Sequence, residues 1–265
     1  MIRTAVTGAC GRMGTLIIRN ILDSGEMELS AAFDIANIGM DVGEAIGTGH
    51  LGVSVSDPVD METVIKDTGT LVVIDFTIAV AAAGNVARAA NAGANLVVGT
   101  TGFSEEQTQQ MHEAIRDNGV AAVISPNFAV GVNIFWELLK EAAGSLNGFD
   151  VEIIEAHHNK KKDAPSGTAM KAAQVISDVL GGRDYVYGRQ GLAPRGDEIG
   201  IHAVRGGDVV GDHTVLFFGD GERIEVQHQA HSRQAFAGGA VRAAHWVMEQ
   251  GAGVYGMADV LGLGK

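Results

Sequence analysis

The sequence has one cysteine, Cys10, so no intrachain disulfide can form and nothing points to an oxidising compartment. It also lacks an excess of positive charge. With 19 Lys and Arg against 32 Asp and Glu, the formal net charge is −13. General nucleic-acid binding is disfavoured, because phosphate contacts need a basic face. No apolar run is long enough to span a bilayer, and the first residues do not carry a secretory signal pattern. Aromatic residues are few, and neither internal repeats nor low-complexity tracts are found. The expectation is a soluble cytoplasmic protein with neither membrane nor nucleic acid as partner.

What the chain has in quantity is glycine, 37 residues against an average usage of roughly 7%. Its 265 residues, 46% of them hydrophobic, suffice for two modest domains with substantial cores. Strand and helix patterns alternate through the first half. Ile2 to Thr7 reads as a buried strand, Gly8-Ala9-Cys10-Gly11-Arg12-Met13-Gly14 as a glycine loop, Thr15 to Leu22 as a helix, and Leu29 to Phe33 as a strand ending at Asp34. Strands are also expected at Leu71–Phe76, Leu96–Val98 and Val120–Ile124, with helices between them. One of these helices opens on a capping box, Ser104 with Gln107. Such alternation predicts a parallel sheet with helices on both faces, a Rossmann-like doubly wound α/β fold.

The glycine loop is the first functional landmark. Glycines 8, 11 and 14 permit a tight turn, close approach of backbone to a pyrophosphate, and close helix–strand packing. A glycine triplet alone is weak evidence; here a strand precedes it, a helix follows, and Asp34 stands 20 residues past Gly14, where an acid would hold adenosine ribose hydroxyls. Cys10 reads as a small filler, since no base is near it in sequence. Ligands of open parallel sheets lie at the carboxyl ends of the strands. Thr77, then Gly99-Thr100-Thr101, then Ser125-Pro126-Asn127-Phe128 all fall at such ends and are expected on the cofactor side. Ordinary turn chemistry would explain any one of these, less easily all three.

After Asn133 the pattern changes to a helix from Phe135 to about Leu146, a strand, a second helix from Thr168 to Leu180, a Gly-, Arg- and Pro-rich loop over 181–195, then alternating residues from Gly200. Ile201, Ala203 and Arg205 share one face there, His202 and Val204 the other, and Gly219-Asp220-Gly221 marks a hairpin turn. These features predict a second α+β domain carrying an open mixed sheet. The expected division is 1–128 with 234–265 as a dinucleotide-binding domain, and 129–233 for substrate binding and oligomerisation. Its extended, partly apolar strands are a candidate oligomer surface.

The densest chemistry lies in Glu152 to Ala169, EIIEAHHNKKKDAPSGTA. An apolar strand leads in and an Ala-rich helix leads out, so the polar groups between them sit on a loop held at both ends. His157 and Lys161 are four apart, with Lys160 and Lys162 alongside. Crowded cations favour one another's neutral forms, so such a cluster suits proton release. Ser166-Gly167-Thr168 then opens a helix whose first N–H groups can meet an anion. A bare lysine run is usually a solvated face, but that reading does not account for the two histidines and the PSGT turn beside it. The histidines at 157, 158, 202, 213, 228 and 231 are spread over strands without a second cysteine, so a metal site ranks below acid/base chemistry. His202, His213, His228 and His245 are expected to be hydrogen-bonded structural residues.

The run Glu152, Ile153, Glu155, His157, Lys161, Asp163, Pro165, Ser166, Gly167, Thr168, Ala169 resembles, without a gap, the signature of the 4-hydroxy-tetrahydrodipicolinate reductase (dihydrodipicolinate reductase) family of lysine and diaminopimelate biosynthesis. GxxGRMG, DFT, GTTG and NFxVGVN in this chain resemble its cofactor-side motifs. The resemblance implies a homotetramer built through the second sheet, and hydride transfer from NADH or NADPH to a small ring bearing two carboxylates. It places His157 and Lys161 in catalytic positions and His158, Gly167 and Thr168 at the substrate, to which Arg233 is a matching cation. Asn159-Lys160 stand where members often have Arg-His. Two other classes stay open: a different nicotinamide reductase of this architecture, and a non-catalytic dinucleotide sensor. Asp34 favours NADH, residues 35–49 hold no Lys or Arg, and Ile35 stands where members that also use NADPH often carry arginine. Arg12 opposes this weakly, so NADPH is expected to remain usable.

Overall fold

The structure, a computed structural model, describes residues 1–263 and divides into two compact units. The first comprises Met1–Ala129 and Gln234–Leu263, the second Val130–Arg233. Residues 264 and 265, the end of the expected first domain, lie outside the described residues.

In the first unit β1 (Ile2–Thr7), α1 (Arg12–Ser24), β2 (Met27–Phe33), α2 (Val42–Ala45), β3 (Val55–Ser56), α3 (Met61–Thr68), β4 (Val72–Asp75), α4 (Ala79–Asn91), β5 (Asn95–Val98), α5 (Glu105–Asn118) and β6 (Ala121–Ile124) follow one another. The strands form one parallel sheet whose order from the far edge is β6-β5-β4-β1-β2-β3. The order reverses between β1 and β4, which is the position of the ligand crevice in such sheets. The strand cores (Val72, Val73, Ile74; Leu96, Val97, Val98) are continuous apolar runs because both sheet faces are covered. One face packs Ile17, Ile18 and Ile21 of α1; the other packs Val86 of α4 and Met111 and Ile115 of α5. The Ser104–Gln107 capping box forms as expected.

The second unit contains α6 (Val130–Ser145), β7 (Asp150–His157), α7 (Gly167–Val179), β8 (Tyr185–Tyr187), β9 (Ile199–Arg205), β10 (Gly211–Gly219) and β11 (Glu222–Ala230). Its mixed sheet has the order β11-β10-β7-β9-β8. The hairpin β10–β11 forms about Asp220-Gly221. β9 and β10, consecutive in the chain, do not pair with each other; β7 lies between them, parallel to β9 and antiparallel to β10. The central place of β7 fits its alternation, with Val151, Ile153, Glu155 and His157 turned inward against α7. Ile154 on the outer face is 40% exposed and Val204 of β9 is 50% exposed.

The chain then returns to the first unit through α8 (Gln234–Trp246), β12 (Gly253–Tyr255) and α9 (Met257–Leu261). β12 extends the parallel sheet beyond β6, a strand the sequence reading left out. Helix α6 begins five residues before the expected Phe135, and β8 stands where loop is expected. β8 and β12 are three residues long each, too short for a periodicity to register.

Candidate active site

On the first unit, the glycine loop joins β1 to α1. Gly8 has φ +64°, a left-handed conformation that side chains rarely adopt, and its carbonyl accepts the Gly11 N–H at 2.9 Å. A Cβ at Gly14 would overlap the Gly8 carbonyl oxygen and the Ala9 backbone, so only glycine lets α1 begin this close to the strand. Gly11 caps α1 with no side-chain bond, which leaves the helix N-terminus open toward an anion. Arg12 and Met13 form its first turn, with Arg12 exposed. Asp34, at the end of β2, accepts the Cys10 N–H on Oδ2 at 2.9 Å and the Ala36 N–H on Oδ1 at 3.1 Å. The acid is thereby laced to the glycine loop, as a ribose-binding carboxylate requires. Cradle and acid together fit a dinucleotide.

The other expected cofactor residues share a hub absent from the sequence reading. Asp75, 1% exposed at the end of β4, accepts bonds from the Thr7 hydroxyl (2.6 Å), the Asn85 amide (2.8 Å), the Thr77 hydroxyl (2.8 Å) and N–H (3.0 Å), and the Thr100 hydroxyl (3.0 Å). One carboxylate thus ties the ends of β1, β4 and β5 together, and the Gly99 N–H is held by the Asp75 carbonyl. A buried carboxylate needs many donors, and here they come from the DFT and GTT turns together with Thr7 of β1 and Asn85 of α4. Thr101 follows exposed. Ser125 turns its hydroxyl onto the Asn127 carbonyl at 3.0 Å, closing the turn through Pro126 after β6. Phe128 is 1% exposed and packs on Phe76, so its side chain belongs to the core and only its backbone can serve a ligand.

On the second unit, β7 delivers Glu155 and His157 on its buried face, two residues apart and therefore on one side of the strand. The loop after His157 is strapped to the β9–β10 turn. His158 donates its N–H to Val209, Asn159 to Gly207, and Gly206 to His157. The lysine run is split by this path: Lys160 and Lys162 are exposed, whereas Lys161 is half-buried and pairs with Asp163 at 2.9 Å. Ser166 caps α7 through the Ala169 N–H, and Gly167 opens that helix with open space about its Cα. Thr168 follows, its carbonyl accepting the Trp136 indole at 3.2 Å. Arg233 closes the unit immediately after β11 and its Ser232 linker.

Behind these residues lies a buried polar chain. Glu155, 0% exposed, takes Arg205 on both oxygens (2.7 and 2.8 Å), His157 Nδ1 at 2.6 Å and the Ser166 N–H at 3.0 Å. Burial pushes the Glu155 carboxyl up, but the Arg205, His157 and Ser166 bonds outweigh it and hold it below the ordinary value. Burial pulls the His157 imidazole down, more than Glu155 raises it, with Lys161 and Arg205 adding to the decrease. His213, opposite Glu155 on β10, bonds to the Ser166 hydroxyl at 3.0 Å; burial pushes it down to about 3, so it is neutral at pH 7. The expectation of hydrogen-bonded histidines holds for His202 (Glu152, 2.7 Å) and His213. His228 departs from it in part: its buried Nδ1, like that of His213, has no hydrogen-bond partner among the described residues. Glu155, Arg205 and Asp75 emerge as organisers only in the folded chain, although each is a charge at an inward or strand-end position within an apolar pattern.

Comparison with known proteins fits this arrangement. Residues 2–128 match the family model described as dihydrodipicolinate reductase, N-terminus, and residues 131–261 that described as dihydrodipicolinate reductase, C-terminus. The chain belongs to the dihydrodipicolinate reductase family. It is 63% identical over 262 residues to the 4-hydroxy-tetrahydrodipicolinate reductase of Methanococcoides burtonii, covering 99% of this chain and 100% of the relative. To the reductase of that name from Methanosarcina mazei it is 62% identical, over 99% and 100% of the two chains. Among solved structures, the dipicolinate-bound dihydrodipicolinate reductase from Paenisporosarcina sp. TG-14 superposes with a TM-score of 0.80 at 30% identity, covering 98% of each chain. As a dihydrodipicolinate reductase by family, this chain is an oxidoreductase, and the two family models part at 128–131, beside the boundary between the compact units.

Proposed function

We propose that the chain catalyses the NAD(P)H-dependent reduction of the cyclic dicarboxylate 4-hydroxy-tetrahydrodipicolinate, by way of dihydrodipicolinate, to tetrahydrodipicolinate. The observation that carries this is the ungapped signature containing a buried, carboxylate-backed His157 with Lys161 four residues on, within a chain 63% identical to a reductase of that name. The nicotinamide supplies the hydride when bound, and Gly8, Ala9, Cys10, Gly11, Arg12, Met13, Gly14, Asp34, Thr77, Gly99, Thr100, Thr101, Ser125, Pro126, Asn127 and Phe128 are the residues that would hold it. Two ring carboxylates call for fixed cations and N–H donors, which Lys161, His158, Arg233 and the first N–H groups of α7 at Gly167-Thr168 supply. The dipicolinate bound by the Paenisporosarcina enzyme is a planar ring dicarboxylate of the same kind.

Reduction leaves electron density on the ring that must take a proton. His157 and Lys161 are the two candidates to give it, a general-acid contribution of roughly 10²–10⁴-fold. Asp34 favours NADH, with NADPH usable. The outer face of the second sheet, with Ile154 and Val204 at least 40% exposed, is where we place the contacts of a homotetramer. A biosynthetic reductase with no helix among its described residues long and apolar enough to cross a membrane fits the cytoplasm. The test is to follow NADH absorbance as freshly made condensation product of pyruvate and aspartate semialdehyde is added. Oxidation that depends on both condensation partners is expected; its absence rejects the assignment.

A further inference from the structure

Glu155 accepts four hydrogen bonds, and the placement of its partners is informative. Two come from Arg205, at the end of β9 in register with His157. One comes from the Ser166 N–H at the start of α7 and one from His157 Nδ1. Arg205 also reaches the Asp163 carbonyl at 2.7 Å, and Asp163 pairs with Lys161. The ion pair therefore touches the histidine directly, the lysine through one residue, and the helix end intended for the substrate carboxylate through its cap.

We infer that the Glu155–Arg205 pair is a positioning device, which fixes the nitrogen of His157 that carries the exchangeable proton and holds the Lys161 loop in place. This rests on the proposed reductase function for its purpose, though not for its geometry. An ionised carboxylate only accepts, so His157 must donate from Nδ1, and Nε2 becomes the nitrogen that gains and loses a proton. Nε2 faces β10 at Gly211, where an added Cβ would stand 3.0 Å from it; the glycine keeps that nitrogen clear. Both oxygens of Glu155 are engaged by a rigid fork, so the carboxylate cannot rotate away from His157. The charges facing His157 are Glu155 on its own strand, Arg205 on β9, Lys161 on the following loop, and His213 on β10, neutral at pH 7. Glu155 favours the imidazolium and Arg205 disfavours it, so the pair acts as an opposed couple on one proton.

The two charges have separable effects, which a side chain acting only as structural support would not produce. His157 is followed by NMR in the full-length, histidine-labelled protein without substrate, its signal identified by its loss in His157→Gln. Glu155→Gln should lower the midpoint of the His157 titration, and Arg205→Gln should raise it, each by roughly one pH unit, or about tenfold in proton affinity. Displacements in the same direction, or none in variants that retain the wild-type circular dichroism, overturn the inference. Since each of these variants leaves one buried charge unpaired and threatens the fold, Arg205→Lys is the second measurement. It keeps the charge but loses the fork, so the midpoint should stay while kcat falls roughly tenfold and the KM for NADH does not move; an unchanged kcat also overturns the inference. Opposite displacements in a chain inactive on the ring dicarboxylate would reject the reductase function and leave this role standing.

Discussion

At the scale of single residues, the site separates groups with similar sequence signals. Three consecutive lysines look alike on paper, yet of the three only Lys161 is paired among the described residues, with the Asp163 carboxylate, whose residue's carbonyl accepts from Arg205. Its replacement is correspondingly specific. Lys161→Ala removes a proton source and a carboxylate partner together, so kcat should fall by orders of magnitude and the KM for the ring substrate should rise, while NADH binding barely changes. Stopped-flow hydride transfer with a fluorescence titration of NADH checks both halves; near-normal turnover would reject the role of Lys161. Arg233 makes a narrower case. Bidentate carboxylate pairing is beyond a lysine's reach, so Arg233→Lys should raise the KM for the dicarboxylate, and an unchanged KM would place Arg233 away from the substrate.

At the scale of elements, most of the first unit was legible because local signals agree with the global fold. The glycine loop, Asp34 and the capping box each carry their geometry in the residue type. What was not legible was pairing: nothing in the β9 or β10 pattern says that β7 inserts between them, and this insertion is what brings His213 opposite Glu155 and Arg205 opposite His157. The strand alternation did put Arg205 on one face with Ile201 and Ala203, without showing that this face is the inner one or what its partner is across the sheet. The proposed cofactor choice also belongs to this scale. Asp34, the proposed ribose ligand, is held by two backbone N–H groups at the end of β2, Ile35 beside it is 87% exposed, and no Lys or Arg follows through 49. Arg12 is exposed, and such partly solvated pairs contribute only ~0.2–1 kcal/mol. NADH should therefore give the higher kcat/KM at a fixed ionic strength, with NADPH still accepted; a preference for NADPH would mean that Asp34 does not act on the ribose.

At the scale of the whole molecule, stability should report the histidines buried behind the site. His213 has a folded value of about 3, and His157 and His228 are also lowered, all three chiefly by burial. An unfolded histidine titrates near 6.5, so above that pH neither state is protonated and these groups exact no penalty. As pH falls through 6.5, the unfolded chain takes up protons that the folded chain refuses, and folding stability must drop. Each refused proton costs ~1.4 kcal/mol per pH unit. Glu155, Glu152 and Asp163 are held below their ordinary values and add their loss only at lower pH, below about 4.5. The interval between pH 6.5 and 4.5 therefore belongs mainly to the histidines. Urea unfolding across that interval, at one protein concentration, should give a stability that declines with acidity by more than one proton's slope. His213→Gln should decline less steeply by close to one proton, whatever its stability at pH 7.5. Parallel slopes for the two proteins would mean that His213 is not held neutral in the folded chain.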